Sequence, residues 1–416
     1  MSHLWSPVTG KNRFFDAAEP FELISEFGSP LYVYNESIFR ARCREMRNLV
    51  SYPRFFVNYS VKANSNLTLL RIAREEGLLA DAMSPGEIFV EEAAGYTSDE
   101  ILYISNNVSE AEMRYAIDRG IMVSVDSLSQ LEMFGRLCPG GKVCVRVNTG
   151  VGAGHHAKVI TGGKKTKFAV DPSLFDDMRE ILRSHRLSLA GLNQHIGSLF
   201  MEPGKYLEGV SALLALAHTF EDLEFIDFGG GFGIPYEKAA GQPRLDLADL
   251  GSKLDAILHD FARTYGKSIA FKVEPGRYIA AESCVLLGTV HAVKENYGHR
   301  YVGTDVGFNV LARPMIYDSH HDIELYRASD TPFSDLYPVT VVGNICESGD
   351  ILAKDRVLPQ AQEGDIIGIL DAGAYGYSMS SNYNNRLRPA EVLLREDGTV
   401  KLIRRRDTLD DLLRNF

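Results

Sequence analysis

Eight times between residues 54 and 276, a short β-branched or apolar run gives way to a longer stretch of helical period. No other feature limits the fold as tightly. The runs are RFFVNYSVK (54–62), LLADAM (78–83), EILYIS (100–105), IMVSVD (121–126), KVCVRVN (142–148), LAGLNQHI (189–196), LEFIDFG (223–229) and IAFKVEPG (269–276). Between them lie amphipathic stretches such as SNLTLLRIAREEG (65–77), SPGEIFVEEAAG (84–95) and SEAEMRYAIDRG (109–120). Several open on Ser or Asp and close on Gly, which start and stop helices. Strands alternating with helices form right-handed βαβ units around a parallel sheet. Eight units predict closure into a TIM-like (β/α)₈ barrel over residues 36–285, an α/β fold whose functional groups gather at the carboxyl ends of the strands.

The texture changes after residue 285. CVLLGTVHAVK, YPVTVVGNIC, DIIGILDAG and AEVLLREDGTVKLIRRR are strand-like with little helix between them, and EDGT at 396–399 reads as a hairpin turn. Residues 286–416 are expected to form a β-rich second domain, against which the N-terminal segment 1–35 packs. At 416 residues and 45% hydrophobic content the chain can bury large cores without staples. Its net charge of −11 argues against a nucleic-acid partner, and the basic LIRRRD at 402–407 reads as a solvated edge. Five cysteines without a C-x-x-C pair point to a reducing compartment and away from disulfides or structural zinc. The opening MSHLWSPVTGKNRFFD lacks the basic-then-apolar pattern of a secretory leader, and no run approaches a membrane span. We therefore expect a cytoplasmic protein without membrane contact.

In the barrel reading, Lys62, His195, the glycines of DFGGGFG and the EPGR of 274–277 fall on one face. Singly, each has an ordinary structural explanation: a solvated lysine, a rim histidine, a turn, an ion pair. Together they suit pyridoxal 5′-phosphate. An amine in a partly dry site can hold the cofactor's aldehyde, which assigns Lys62. Gly229, Gly230, Gly231 and Gly233 let backbone N–H groups approach a phosphate. Ser198 in HIGS offers a hydroxyl, and His195 a flat group over the ring. A carboxylate at Glu274 favours a protonated pyridine nitrogen, suiting carbanion chemistry of the decarboxylase type better than racemisation.

YSVKANSN, HIGS, GGGFG, EPGR, CESGD (346–350) and GAYG (373–376) occur in this order. On these motifs, from about residue 28 to the end, the chain resembles the barrel-fold (fold-type III) pyridoxal-phosphate decarboxylases. GAYGYSMSSNYNNRLRPAEVLL and KLIRRRDTLDDLL are similar to the bacterial branch that converts meso-2,6-diaminopimelate to L-lysine and carbon dioxide, the last step of lysine biosynthesis. The resemblance implies that Lys62 binds the cofactor covalently and that His195 stacks on it. It also implies that Asp81 and Glu274 contact the cofactor, Glu274 at the ring nitrogen. Ser198, Gly230, Gly231, Gly233 and Tyr375 would hold the phosphate. Substrate would meet Arg277, Tyr375, and Arg313 with Tyr317 of ARPMIY. Cys346 and Glu347 would reach the active site of a partner subunit in a homodimer, making the β-rich domain part of both substrate site and interface.

Part of this has independent physical support. A substrate with a second amino-acid end needs cations for its far carboxylate and an acid for its far ammonium. Arg277 with Arg313 suits the first, because guanidinium grips carboxylate in a fork, and Glu347 suits the second. Cys346 is the candidate acid for reprotonating the α-carbon, thiols being largely protonated at neutral pH. A related decarboxylase acting on D-ornithine, D-lysine, or a carrier- or siderophore-linked amino acid would share the cofactor motifs. A non-catalytic barrel and an amino-acid racemase fit less well. Two departures stand out. Ala169 occupies a position where the family often has glycine. The paired histidines of VGAGHH (151–156) and DSHHDIE (318–324) lack metal-ligand spacing and read as loop or core residues, so no metal is expected.

Overall fold

The computed structural model describes residues 3–416 apart from 17, 105, 153–162, 164–165 and 329–330, so His155 and His156 lie outside the described residues. The chain divides into two compact units. One comprises Arg42–Ile234 and Arg244–Ile279; the other comprises Met1–Ala41, Pro235–Pro243 and Ala280–Phe416.

The first unit is a closed barrel of eight parallel strands: Phe55–Ser60, Leu79–Ala82, Ile101–Ile104, Met122–Val125, Lys142–Arg146, Ser188–Asn193, Phe225–Asp227 and Ala270–Val273. Seven lie inside runs read from the sequence, and the sixth, Ser188–Asn193, begins one residue before its run. Closure comes from the eighth strand, where Phe271 aligns with Ile226 of the seventh strand and Phe55 of the first. Strands covered on both faces read as near-continuous apolar runs, which is why they were legible. Leu102, Ile104, Cys144, Ala190, Phe225 and Ala270 form one apolar cluster of the unit. The helix starts follow the capping logic. Asn66 accepts from Thr68 N ahead of Leu67–Glu75, Ser84 from Glu87 N ahead of Pro85–Ala94, and Ser109 with Glu112 forms a capping box ahead of Glu110–Ile117.

The second unit is built on a ten-stranded sheet among the described residues. Its longest strand, Cys284–Asn296, pairs antiparallel with Leu31–Asn35, Ile366–Ile369 and His299–Thr304. Ala390–Leu394 and Val400–Arg404 form the expected hairpin, and Leu31–Asn35 runs parallel to its first strand. Five strands, His3–Trp5, Leu31–Asn35, His299–Thr304, Ile323–Arg327 and Ile351–Pro359, have no counterpart among the strand-like runs of the sequence. HRYVGT, IELYR and ILAKDRVLP mix charges among apolar residues, a pattern that a solvated loop shares. Among the described residues no helix is long and apolar enough to cross a membrane.

Candidate active site

The barrel unit carries Lys62 on a single helical turn, Val61–Ala63, directly after the first strand. Asp81 on the second strand is fully buried and accepts a hydrogen bond from Ser60 Oγ at 3.2 Å, its register neighbour. Burial pushes the Asp81 carboxyl up to about 8, assisted by Glu87 and Asp227 and opposed by the Lys62 ammonium. Glu87 Oε2 accepts from Met83 N at 2.6 Å and is raised by burial against the pull of that backbone bond and of Lys62. Lys62 thus stands among acids whose charge depends on its own.

Glu274 follows the eighth strand and accepts from Asn193 Nδ2 at 3.3 Å. Burial, then Asp227 and Asp81, hold its carboxyl well above the usual range, against Lys62. Asp227 ends the seventh strand and accepts from Gly229 N at 2.9 Å. Burial pushes the Asp227 carboxyl up as well, against the Gly229 backbone bond and the Lys272 charge.

His195 lies two residues past the sixth strand. Its Nδ1 accepts from Gly230 N at 3.0 Å, so the ring proton resides on Nε2. Burial, the Lys62 ammonium and Arg146 drive its pKa well below the ordinary value, which leaves the imidazole neutral at physiological pH. A neutral flat ring can lie over a cofactor without opposing a positive ring nitrogen.

The glycine run serves close approach. A Cβ on Gly230 would sit 2.0 Å from the carbonyl oxygen of Glu274, and one on Gly231, at φ +106°, 2.3 Å from that of Gly197. The amides of Gly230 and Gly233 donate to His195 Nδ1 and to Phe200 O, both at 3.0 Å. In this structure those two groups hold the turn itself together. Ser198 Oγ accepts from Arg277 Nη2 at 3.1 Å, joining a phosphate candidate to a substrate candidate.

The other predicted residues belong to the second unit. Arg313 opens the short helix Arg313–Tyr317 and is 1% exposed, with Tyr317 half-buried at its end. Tyr375 has φ +58° on the GAYG turn, where a Cβ on Gly373 would meet Ala280 O at 2.0 Å. Cys346 and Glu347 are exposed on one chain, with Cys346 N donating to Asn384 Oδ1 at 2.8 Å.

Sequence reading passed over Arg146, Asn193, Asp227 and Lys272. Arg146, Asn193, Asp227 and Lys272 share one register level around the barrel. Arg146 is buried, its guanidinium 4.7 Å from the Phe168 ring centre, and it acts on Glu274, Asp126 and Asp227. The signal was present: a charged residue in a strand with no solvent face must point into the barrel.

Pyridoxal phosphate fits this unit on the chemistry of the groups present. Two buried acids, Asp81 and Glu274, feel the charge of Lys62, and a third, Asp227, lies against both of them. Asn193 Oδ1 and Asp227 Oδ2 are buried without a hydrogen-bond partner among the described residues. A ring nitrogen able to carry a proton answers both features.

Comparison with known proteins agrees. Residues 36–281 match the family model described as pyridoxal-dependent decarboxylase, pyridoxal binding domain. The chain belongs to the pyridoxal-dependent decarboxylases, and its cofactor is pyridoxal phosphate. It is 42% identical over 407 residues to the diaminopimelate decarboxylase of Methanothermobacter thermautotrophicus, covering 95% of this chain and 94% of that protein. Identity to the Escherichia coli K12 diaminopimelate decarboxylase is 35%, covering 94% of each. The crystal structure of diaminopimelate decarboxylase from Helicobacter pylori complexed with L-lysine superposes with a TM-score of 0.86 at 30% identity, covering 95% of this chain and 98% of that one. Within the wider class, the chain falls in the diaminopimelate decarboxylase family.

Proposed function

We propose that this chain decarboxylates meso-2,6-diaminopimelate to L-lysine and carbon dioxide, the last step of lysine biosynthesis. The observation that carries the reading is Lys62 set among Asp81, Glu274 and a neutral His195 at the carboxyl ends of one barrel. The substrate follows from full-length likeness to diaminopimelate decarboxylases, one of them solved with L-lysine.

Pyridoxal phosphate, when bound, supplies a sink for the electron pair that a departing carboxylate leaves on the α-carbon. Lys62 would hold it through the ε-amine, and Glu274 would face the ring nitrogen, where a carboxylate favours the protonated ring. His195 covers one ring face, and Ser198, Gly231 and Tyr375 hold the phosphate. Arg277 and Arg313 grip the distal carboxylate, Tyr317 adds a hydroxyl, and Glu347 takes the distal ammonium. Cys346 Sγ delivers a proton to the α-carbon. The exposure of Cys346 and Glu347 on a single chain supports their completing the site of the partner subunit in a homodimer. We place this reaction in the cytoplasm, in keeping with five free cysteines.

Carbon dioxide release from meso-diaminopimelate, D-ornithine, D-lysine and glutamate tests the proposal. Release from meso-diaminopimelate is expected to exceed that from analogues lacking the distal carboxylate by roughly 10⁴-fold. Faster release from D-ornithine or D-lysine would overturn it.

A further inference from the structure

The paired histidines of DSHHDIE had no part in the functional reading, yet His321 is 1% exposed and its ring contacts can be satisfied by only one proton arrangement. Its Nδ1 lies 2.7 Å from the carbonyl oxygen of Leu370. A carbonyl oxygen only accepts, so Nδ1 carries the proton. Its Nε2 lies 2.8 Å from Nη1 of Arg313. A guanidinium only donates, so Nε2 must present a lone pair. Both bonds exist together only in the neutral Nδ1–H form. A second proton would set N–H against N–H.

The same guanidinium is pinned from other sides. Arg313 Nη2 donates to Ser319 Oγ at 3.3 Å, and the group lies 4.5 Å from the centre of the Tyr236 ring. Tyr236 in turn meets the His321 ring edge-on, with centroids 5.3 Å apart. The histidine itself is held at its backbone, where Arg356 Nη1 donates to His321 O at 2.8 Å. Arginine side chains lose much rotamer freedom when ordered, so a scaffold that fixes one in advance reduces what the ligand must order.

We propose that His321, as a neutral imidazole, is a positioning residue that orients Arg313 for the distal carboxylate of the substrate. The inference rests on the reading that Arg313 binds that carboxylate. It predicts that acid pH weakens substrate binding without a matching loss in the chemical step. The charged groups facing His321 act in both directions. Arg313 and Arg356 oppose its protonation, while Asp322 beside it and Asp371 after Leu370 favour it. His320 lies between Arg356 and Asp322, its Nδ1 accepting from Arg356 Nη2 and its Nε2 donating to Asp322 Oδ1, and Lys238 is paired with Asp371.

Steady-state kinetics of the holoenzyme with meso-diaminopimelate between pH 6 and 9 decide the matter, alongside thermal midpoints. His321→Asn keeps a donor near Leu370 but loses the acceptor for Arg313. It is expected to raise KM about 10-fold or more, with kcat changed no more than about 3-fold. His321→Gln keeps an acceptor that does not protonate. It is expected to return KM to within about 3-fold of wild type and to abolish the rise in KM toward acid pH. A wild-type KM in His321→Asn, with or without a lower thermal midpoint, overturns the inference. So does a wild-type acid limb in His321→Gln, which decides the question alone if the Asn variant does not fold. Arg313→Ala separates the two layers. An unchanged KM there removes the carboxylate role of Arg313 and the inference with it, whereas a raised KM there beside an unaffected His321→Asn removes the inference alone.

Discussion

Replacing Glu91 offers a quantitative check on the barrel's electrostatics. The residue sits on the helix Pro85–Ala94, fully buried, with neither carboxyl oxygen hydrogen-bonded among the described residues. Burial, then Asp81, Glu87 and Glu92, push its pKa from 4.5 up to about 9. Between those values the folded chain holds a proton that the unfolded chain has released, so stability falls as pH rises, by about 1.4 kcal/mol per pH unit. Above about pH 9 the group is ionised in both states and the penalty stops growing. Glutamine has nearly the shape of the protonated acid and never ionises. The cost of burying its amide is the same at every pH, and Asp81 and Glu87 titrate in both proteins. The stability of Glu91→Gln relative to wild type should therefore grow by about 4 kcal/mol between pH 5 and pH 8. Urea unfolding followed by circular dichroism at the two pH values reads this as a widening gap between midpoints. A gap that stays constant with pH would refute the reasoning.

Three further outcomes follow from single positions. Ala169 has φ +75°, a conformation that costs a residue with a Cβ, so Ala169→Gly should gain about 0.5–1 kcal/mol in urea unfolding despite glycine's greater chain entropy. In Gly230→Ala the new Cβ would meet the Glu274 carbonyl 2.0 Å away, and the strand ends must part. Unfolding should show a loss of about 3 kcal/mol, and equilibrium dialysis a weaker hold on pyridoxal phosphate. Cys346→Ala should reduce kcat by roughly 10²-fold or more with little change in KM, and equal turnover would remove the thiol as proton donor.

The barrel was legible because strands covered on both faces leave a continuous apolar trace and their helices start at Ser or Asn caps. Charge inside those strands was harder to read. KVCVRVN and LEFIDFG read as strands, yet the pattern by itself does not announce that in a parallel barrel Arg146 and Asp227 have no water to face. The glycine turn shows a different limit. Sequence announces backbone close to something, but only coordinates reveal that Gly230 N meets His195 and that Gly233 N meets Phe200. His321 was invisible for a similar reason, since a histidine pair without metal spacing says nothing about an arginine eight residues earlier. Ala169 is the opposite case, where a departure from the family's usual glycine marked the position now found at positive φ.

The amine at position 62 is the group expected to take the cofactor. Borohydride reduction of the purified holoenzyme, followed by proteolysis and mass spectrometry, locates the attachment directly. The expected result is a reduced pyridoxyl-phosphate adduct on the peptide containing Lys62, together with loss of activity. An adduct confined to another lysine, such as Lys272 or Lys238, or full activity in Lys62→Ala, would contradict it.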